Sequence, residues 1–131
     1  MERPVLKNKA GLTLLELVIA ISIMFIVFLG LTGTVLTAME YNIRNALLDE
    51  AVSVGETRMN EIRSLPFNSI VTPGGPETVT KQVRKFNAVY TVTTTVTDPA
   101  TDIKQVTMVV TWTRLGTARS HTFSSIVRRR P

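Results

Sequence analysis

Apolar positions follow three different rhythms along this chain. From Leu12 to Met39 they run almost without a break, with 20 apolar residues among 28. From Ile43 to Ile62 they space out to Ile43, Leu47, Ala51, Val54, Met59 and Ile62, near the i, i+3, i+4 steps of a helix with one buried face. From Phe86 onward they alternate. Phe86, Ala88, Tyr90, Val92, Thr94 and Val96 fall on one side of a strand, and Val106, Met108, Val110 and Trp112 on one side of another. Pro66 closes the helical stretch, because the residue before a proline is pushed out of the α region. Pro73-Gly74-Gly75-Pro76 is a strong breaker.

These rhythms predict a helix from about Leu12 to Leu65, roughly 80 Å at 1.5 Å per residue. A loop and two clear strands follow, then a weaker strand over Ser120–Val127. Asp98–Asp102 and Leu115-Gly116-Thr117 read as turns. Val79 and Val83 belong either to a short edge strand or to the loop. The fold class is α+β: a long N-terminal helix on a small antiparallel sheet of three or four strands. About 65 residues beyond Pro66 make a marginal core alone, so the sheet needs the apolar stripe of residues 40–65 as a lid. Phe86, Tyr90, Met108 and Trp112 read as core. Gly55 sits on or near the packing stripe, and either admits a close approach of the sheet or marks a bend. Gly30 and Gly33 mark places where the helix can loosen.

Residues Leu17–Met39 carry no charge over 23 positions, enough to span a hydrocarbon core. Arg3, Lys7 and Lys9 outweigh Glu2 ahead of them, which keeps the N-terminus cytoplasmic and sends the other end across. A cleaved secretory signal fits poorly, since no small-residue site of the A-x-A kind follows the apolar run. Neither it nor an ordinary anchor explains Glu16. A carboxylate there either marks the interfacial start of the helix, favoured by the dipole, or needs a cationic partner in an assembly.

The stretch Lys9-Ala10-Gly11-Leu12-Thr13-Leu14-Leu15-Glu16-Leu17 resembles the class III signal of type IV pilins and of the pseudopilins of type II secretion. The resemblance implies cleavage by a prepilin peptidase between Gly11 and Leu12, and N-methylation of Leu12, where the family usually has Phe. Glu16 becomes the fifth mature residue, the family's acidic position, and with Thr13 it would serve assembly, its carboxylate facing the new amine of a neighbouring subunit. The domains so implied are a leader 1–11, a membrane or filament-core half-helix 12–39 and a soluble pilin domain 40–131. That domain would comprise a half-helix 40–65, a loop 66–78, strands over about 79–127 and a basic tail 128–131. Glu56–Pro66 and Val106–Trp112 are loosely similar to minor pilins of the PilV-like kind and to minor pseudopilins.

Composition narrows the chemistry. With no cysteine, a disulfide scaffold and a thiolate metal site are excluded, and a single histidine, His121, argues against a triad or a His-based metal site. No phosphate loop, nucleotide fingerprint or zinc spacing is present. Asp98 and Asp102 read as turn residues rather than a calcium site. The net charge of +5 divides into +2 on the leader, zero over residues 12–127 (nine basic, nine acidic) and +3 from Arg128-Arg129-Arg130. That triplet is a solvated terminus, or else a contact for a neighbouring subunit or nucleic acid.

The expectation is a non-enzymatic structural subunit without cofactor or metal: a minor pilin anchored in the inner membrane, its C-terminal domain periplasmic, then assembled by helix bundling. The partners implied are the prepilin peptidase, other pilins, the inner-membrane assembly platform with its separate ATPase, and membrane lipid. The alternatives are a minor pseudopilin of a type II secretion system, or a membrane-tethered adhesin or DNA-uptake pilin using the arginine tail.

Overall fold

A computed structural model describes Gly11 and residues 13–129. The elements are one long helix, α1 (Leu14–Ser64), a short 3-10 turn (Phe67–Ser69), and four strands, β1 (Glu77–Val83), β2 (Phe86–Ala100), β3 (Ile103–Arg114) and β4 (Thr117–Arg128). The strands form one antiparallel meander in the order β1-β2-β3-β4. This is the α+β class expected. The chain divides into two compact units, Met1–Tyr41 and Asn42–Pro131.

In the second unit the helical spacing does what it predicts. Leu47, Ala51, Val54, Gly55 and Met59 are buried along one stripe of α1. They meet the inner row of the sheet, where Ala88, Tyr90 and Val92 of β2 and Val106, Met108, Val110 and Trp112 of β3 are buried. Register explains the contacts: Tyr90 pairs with Trp112, Val92 with Val110 and Thr94 with Met108, so same-face side chains stack across the strands. Tyr90 and Trp112 lie 6.1 Å apart, tilted by 50°. The Tyr90 hydroxyl donates to the Leu47 carbonyl at 3.1 Å, which satisfies the one polar atom of a fully buried ring.

Gly55 admits a close approach. A Cβ there would sit 2.2 Å from Cε2 of Phe123, whose ring lies over the bare helix backbone. Next to it the Arg63 guanidinium donates to Oγ of Ser125 at 2.9 and 2.7 Å. Arg58 bridges Glu61, at 2.6 Å, and Glu77 at the start of β1. The hydrogen bond it donates to Glu61, more than the charge of Glu77, pushes its pKa up, against a smaller lowering by desolvation.

One open alternative is settled and three readings change. Glu77–Val83 is a full edge strand, with Val83 buried. Phe86 is not core: it is 39% exposed beside the first hairpin turn. Asp98–Asp102 is not one turn. The ladder shifts register between Thr97 and Ala100, leaving an extra residue at Asp98-Pro99, and only Thr101 and Asp102 turn. A bulge is where a strand tolerates a proline. Finally, β4 starts at Thr117 and runs through Arg128.

Between α1 and β1 the loop is pinned rather than loose. Ile70 is 1% exposed and plugs the end of the core. Its carbonyl accepts from Lys104 Nζ at 2.5 Å, and Thr72 Oγ1 accepts from the Val96 amide at 2.9 Å.

Candidate functional site

The candidate site is the start of α1. Gly11 is exposed and outside the helix, and Leu12 lies outside the described residues, as do residues 1–10 with Arg3, Lys7 and Lys9. Thr13 caps the helix. Its Oγ1 accepts from the Glu16 amide at 3.2 Å, and its carbonyl accepts the first helical bond from Leu17 at 3.1 Å. Thr13-Leu14-Leu15-Glu16 therefore has the spacing of a capping box, threonine at the cap and glutamate three residues on. Glu16 lies in the first turn, where the helix dipole favours a negative charge. Local helix chemistry thus accounts for Thr13 and Glu16 as a pair.

From Leu17 to Met39 the helix carries no charge on any side. Leu14, Ile19, Phe25, Phe28, Leu31 and Leu36 are each at least half exposed. A helix that is greasy all round is made for lipid or for the interior of a bundle, and this one is long and apolar enough to cross a membrane. Its hydroxyls are satisfied within it. Ser22 donates to the Val18 carbonyl at 2.8 Å, Thr32 to Phe28 at 2.9 Å, Thr34 to Leu31 at 2.7 Å and Thr37 to Gly33 at 3.0 Å. Back-bonded in this way they offer hydrocarbon no loose donor. Gly30 and Gly33 have nothing within 4 Å of a built Cβ.

The arginine triplet is not uniform. Arg128 is the last residue of β4, in register with Ile103. The Arg129 guanidinium lies 4.9 Å from the Phe67 ring centre, 3.4 Å from an Asp102 carboxylate oxygen and 3.4 Å from Oδ1 of Asn68, and its amide donates to the Asp102 carbonyl. Arg130 lies outside the described residues. Asp98 and Asp102 are both exposed, and Asp102 takes the Arg129 ion pair. Among the described residues no three His, Asp or Glu side chains gather as a metal site. His121 is exposed and meets Phe123 edge-on at 4.8 Å.

Sequence reasoning missed the Arg63–Ser125 and Arg129–Phe67 contacts. Each joins residues remote in the chain, and no local pattern announces them.

Comparison with known proteins agrees with the geometry. Residues 6–32 match the family model for the prokaryotic N-terminal methylation motif, about a fifth of the chain. No curated protein and no solved structure matches. The motif supports the type IV pilin and pseudopilin class, and with it a structural role and processing by a prepilin peptidase. The apolar helix that follows fits anchoring in the inner membrane.

Proposed function

We propose that the chain is a minor structural subunit of a type IV pilus, cut between Gly11 and Leu12, N-methylated on Leu12 and assembled by bundling of its apolar half-helix. The observation that carries this reading is the methylation motif standing on the capped start of a helix that carries no charge from Leu17 to Met39. Before assembly the protein sits in the inner membrane with its C-terminal domain periplasmic. Leaving the membrane for a filament exchanges lipid contacts for helix contacts at similar apolar burial, and a partner for Glu16 then decides register. That partner is the methylated amine of a neighbour, four residues ahead of the carboxylate in each chain. A charge of either sign left alone in such a bundle is costly, so the pairing selects one stagger.

The minor role is favoured by the small soluble part, four strands and no disulfide. Mass spectrometry of the protein purified from its own host tests the reading. A mature chain beginning at Leu12 with one added methyl is expected, and an intact Met1 overturns it. Glu16→Ala is expected to be processed yet to enter filaments poorly. Incorporation equal to the parent would remove Glu16 from assembly.

A further inference from the structure

The two hairpin turns at one end of the sheet are chemically unlike the rest of the domain. Arg84-Lys85 joins β1 to β2, and Leu115-Gly116 joins β3 to β4. In a meander these turns lie together, while Thr101-Asp102 is at the far end. The β2–β3 ladder stops at Tyr90–Trp112, so beyond it the two hairpins part. The cleft between them is a groove of about 570 Å³ lined by Phe86, Val89, Trp112, Leu115 and, from α1, Ile43.

Three features of this end point the same way. Leu115 is 85% exposed and holds φ at +48°, a left-handed conformation that a leucine rarely adopts. Asn or Gly is the ordinary residue at such a turn position, so an apolar side chain is presented there against local preference. The two hairpins carry Lys81, Arg84, Lys85, Arg114 and Arg119, and residues 78–97 and 103–129 contain no acid at all. Of these five only Lys81 has an ion-pair partner among the described residues, Glu50 at 3.9 Å. Ile43, on the groove wall, is separated from the last residue of the apolar run, Met39, by Glu40, Tyr41 and Asn42 alone. So short a connection keeps this end of the domain within reach of the headgroups whenever the apolar helix is in a bilayer.

We propose that this hairpin end docks on the anionic lipid surface of the membrane in which the helix is anchored, with Leu115 and Phe86 entering the interface and the basic side chains facing lipid phosphates. A protruding apolar residue at a basic end of the domain is the composition of an interfacial contact. The proposal rests on membrane anchoring by the apolar helix. It adds a second, reversible hold that an assembling filament has to release.

The test uses the full chain in vesicles of phosphatidylcholine alone or with phosphatidylglycerol. The chain has no cysteine, so a single Thr117→Cys carries an environment-sensitive fluorophore beside the turn, and Thr101→Cys carries it at the far end. Blue-shifted emission at position 117, only in anionic vesicles and reversed by salt, is expected, with no change at position 101. Leu115→Asn fits the turn better than leucine, so loss of the shift in that variant reports contact rather than unfolding. Arg84→Gln with Lys85→Gln is expected to lower the docking equilibrium constant by about fivefold for each charge removed. Equal emission at the two positions, or equal emission in the two lipids, overturns the proposal. Binding of a labelled DNA duplex by the chain in neutral vesicles, lost in the double variant without any lipid effect at position 117, overturns it in favour of nucleic acid. Failure of the chain to float with any vesicle removes the anchoring itself, and the docking with it.

Discussion

Two single residues show how far local preference yields to tertiary context. Alanine at an ordinary helical glycine stabilises by about 1 kcal/mol. At Gly55 the added methyl enters the space of the Phe123 ring. Gly55→Ala is therefore expected to destabilise the domain, by about 1–3 kcal/mol as overpacking does. Thermal melting in detergent reads it, and Phe123→Leu in the same chain should recover most of the loss. If Gly55→Ala raises the melting temperature, the close approach is not where the structure puts it. Leu115 is the opposite case. Its left-handed backbone is strained for a branched side chain and its surface is open to solvent. Leu115→Asn should stabilise by roughly 1 kcal/mol, visible as a higher melting temperature with an unchanged near-ultraviolet spectrum. A variant no more stable than the parent would show that the turn carries no strain.

At the scale of elements, legibility followed burial. β2 and β3 alternate cleanly because they are central strands with one face under the helix, and α1 announces its stripe for the same reason. β1 and β4 are edges. In β1 only Val83 is buried, and in β4 only Ser125, so neither imprints a period on its sequence. The methylation motif was legible because its residues are contiguous in the chain, whereas the Thr13 cap, though its partners Glu16 and Leu17 are as local, emerges only from the structure. Gly55 was ambiguous because its partner, Phe123, comes from the last strand. The helix–sheet contact itself can be read by pH. Burial, with a smaller push from the charge of Glu50, raises the Tyr90 pKa from 10.0 to about 12. The native state holds this proton more tightly than the unfolded chain, so the contribution is complete below pH 10 and is lost as pH rises toward 12. About 2–3 kcal/mol should disappear across that interval. The measurement is stability of the parent minus that of Tyr90→Phe. The difference should fall from pH 9 to pH 12, and a flat difference would mean that the phenol is not sequestered.

At the scale of the whole molecule the two units ask for different solvents. Among the described residues every buried apolar side chain of the core lies between Leu47 and Trp112, within the second unit, while the apolar residues described in the first are exposed. Fold stability and membrane affinity are therefore carried by separate stretches of one helix. A chain beginning at Asn42 should be soluble without detergent and should melt in one cooperative transition, with Trp112 giving a near-ultraviolet signal. The same chain begun at Pro66 should not fold. It would keep all four strands but expose the sheet face that Leu47, Ala51, Val54 and Met59 cover, and the Tyr90 hydroxyl would lose its acceptor on α1. Circular dichroism and urea titration of the two fragments decide the matter. A cooperative transition from Pro66 onward would show that the sheet is a domain in its own right. Failure of the fragment from Asn42 would show that the apolar half of the helix supports the fold as well as the assembly. With the expected outcome, the apolar half is free to change surroundings, from lipid to a bundle of its own kind, while the domain stays folded.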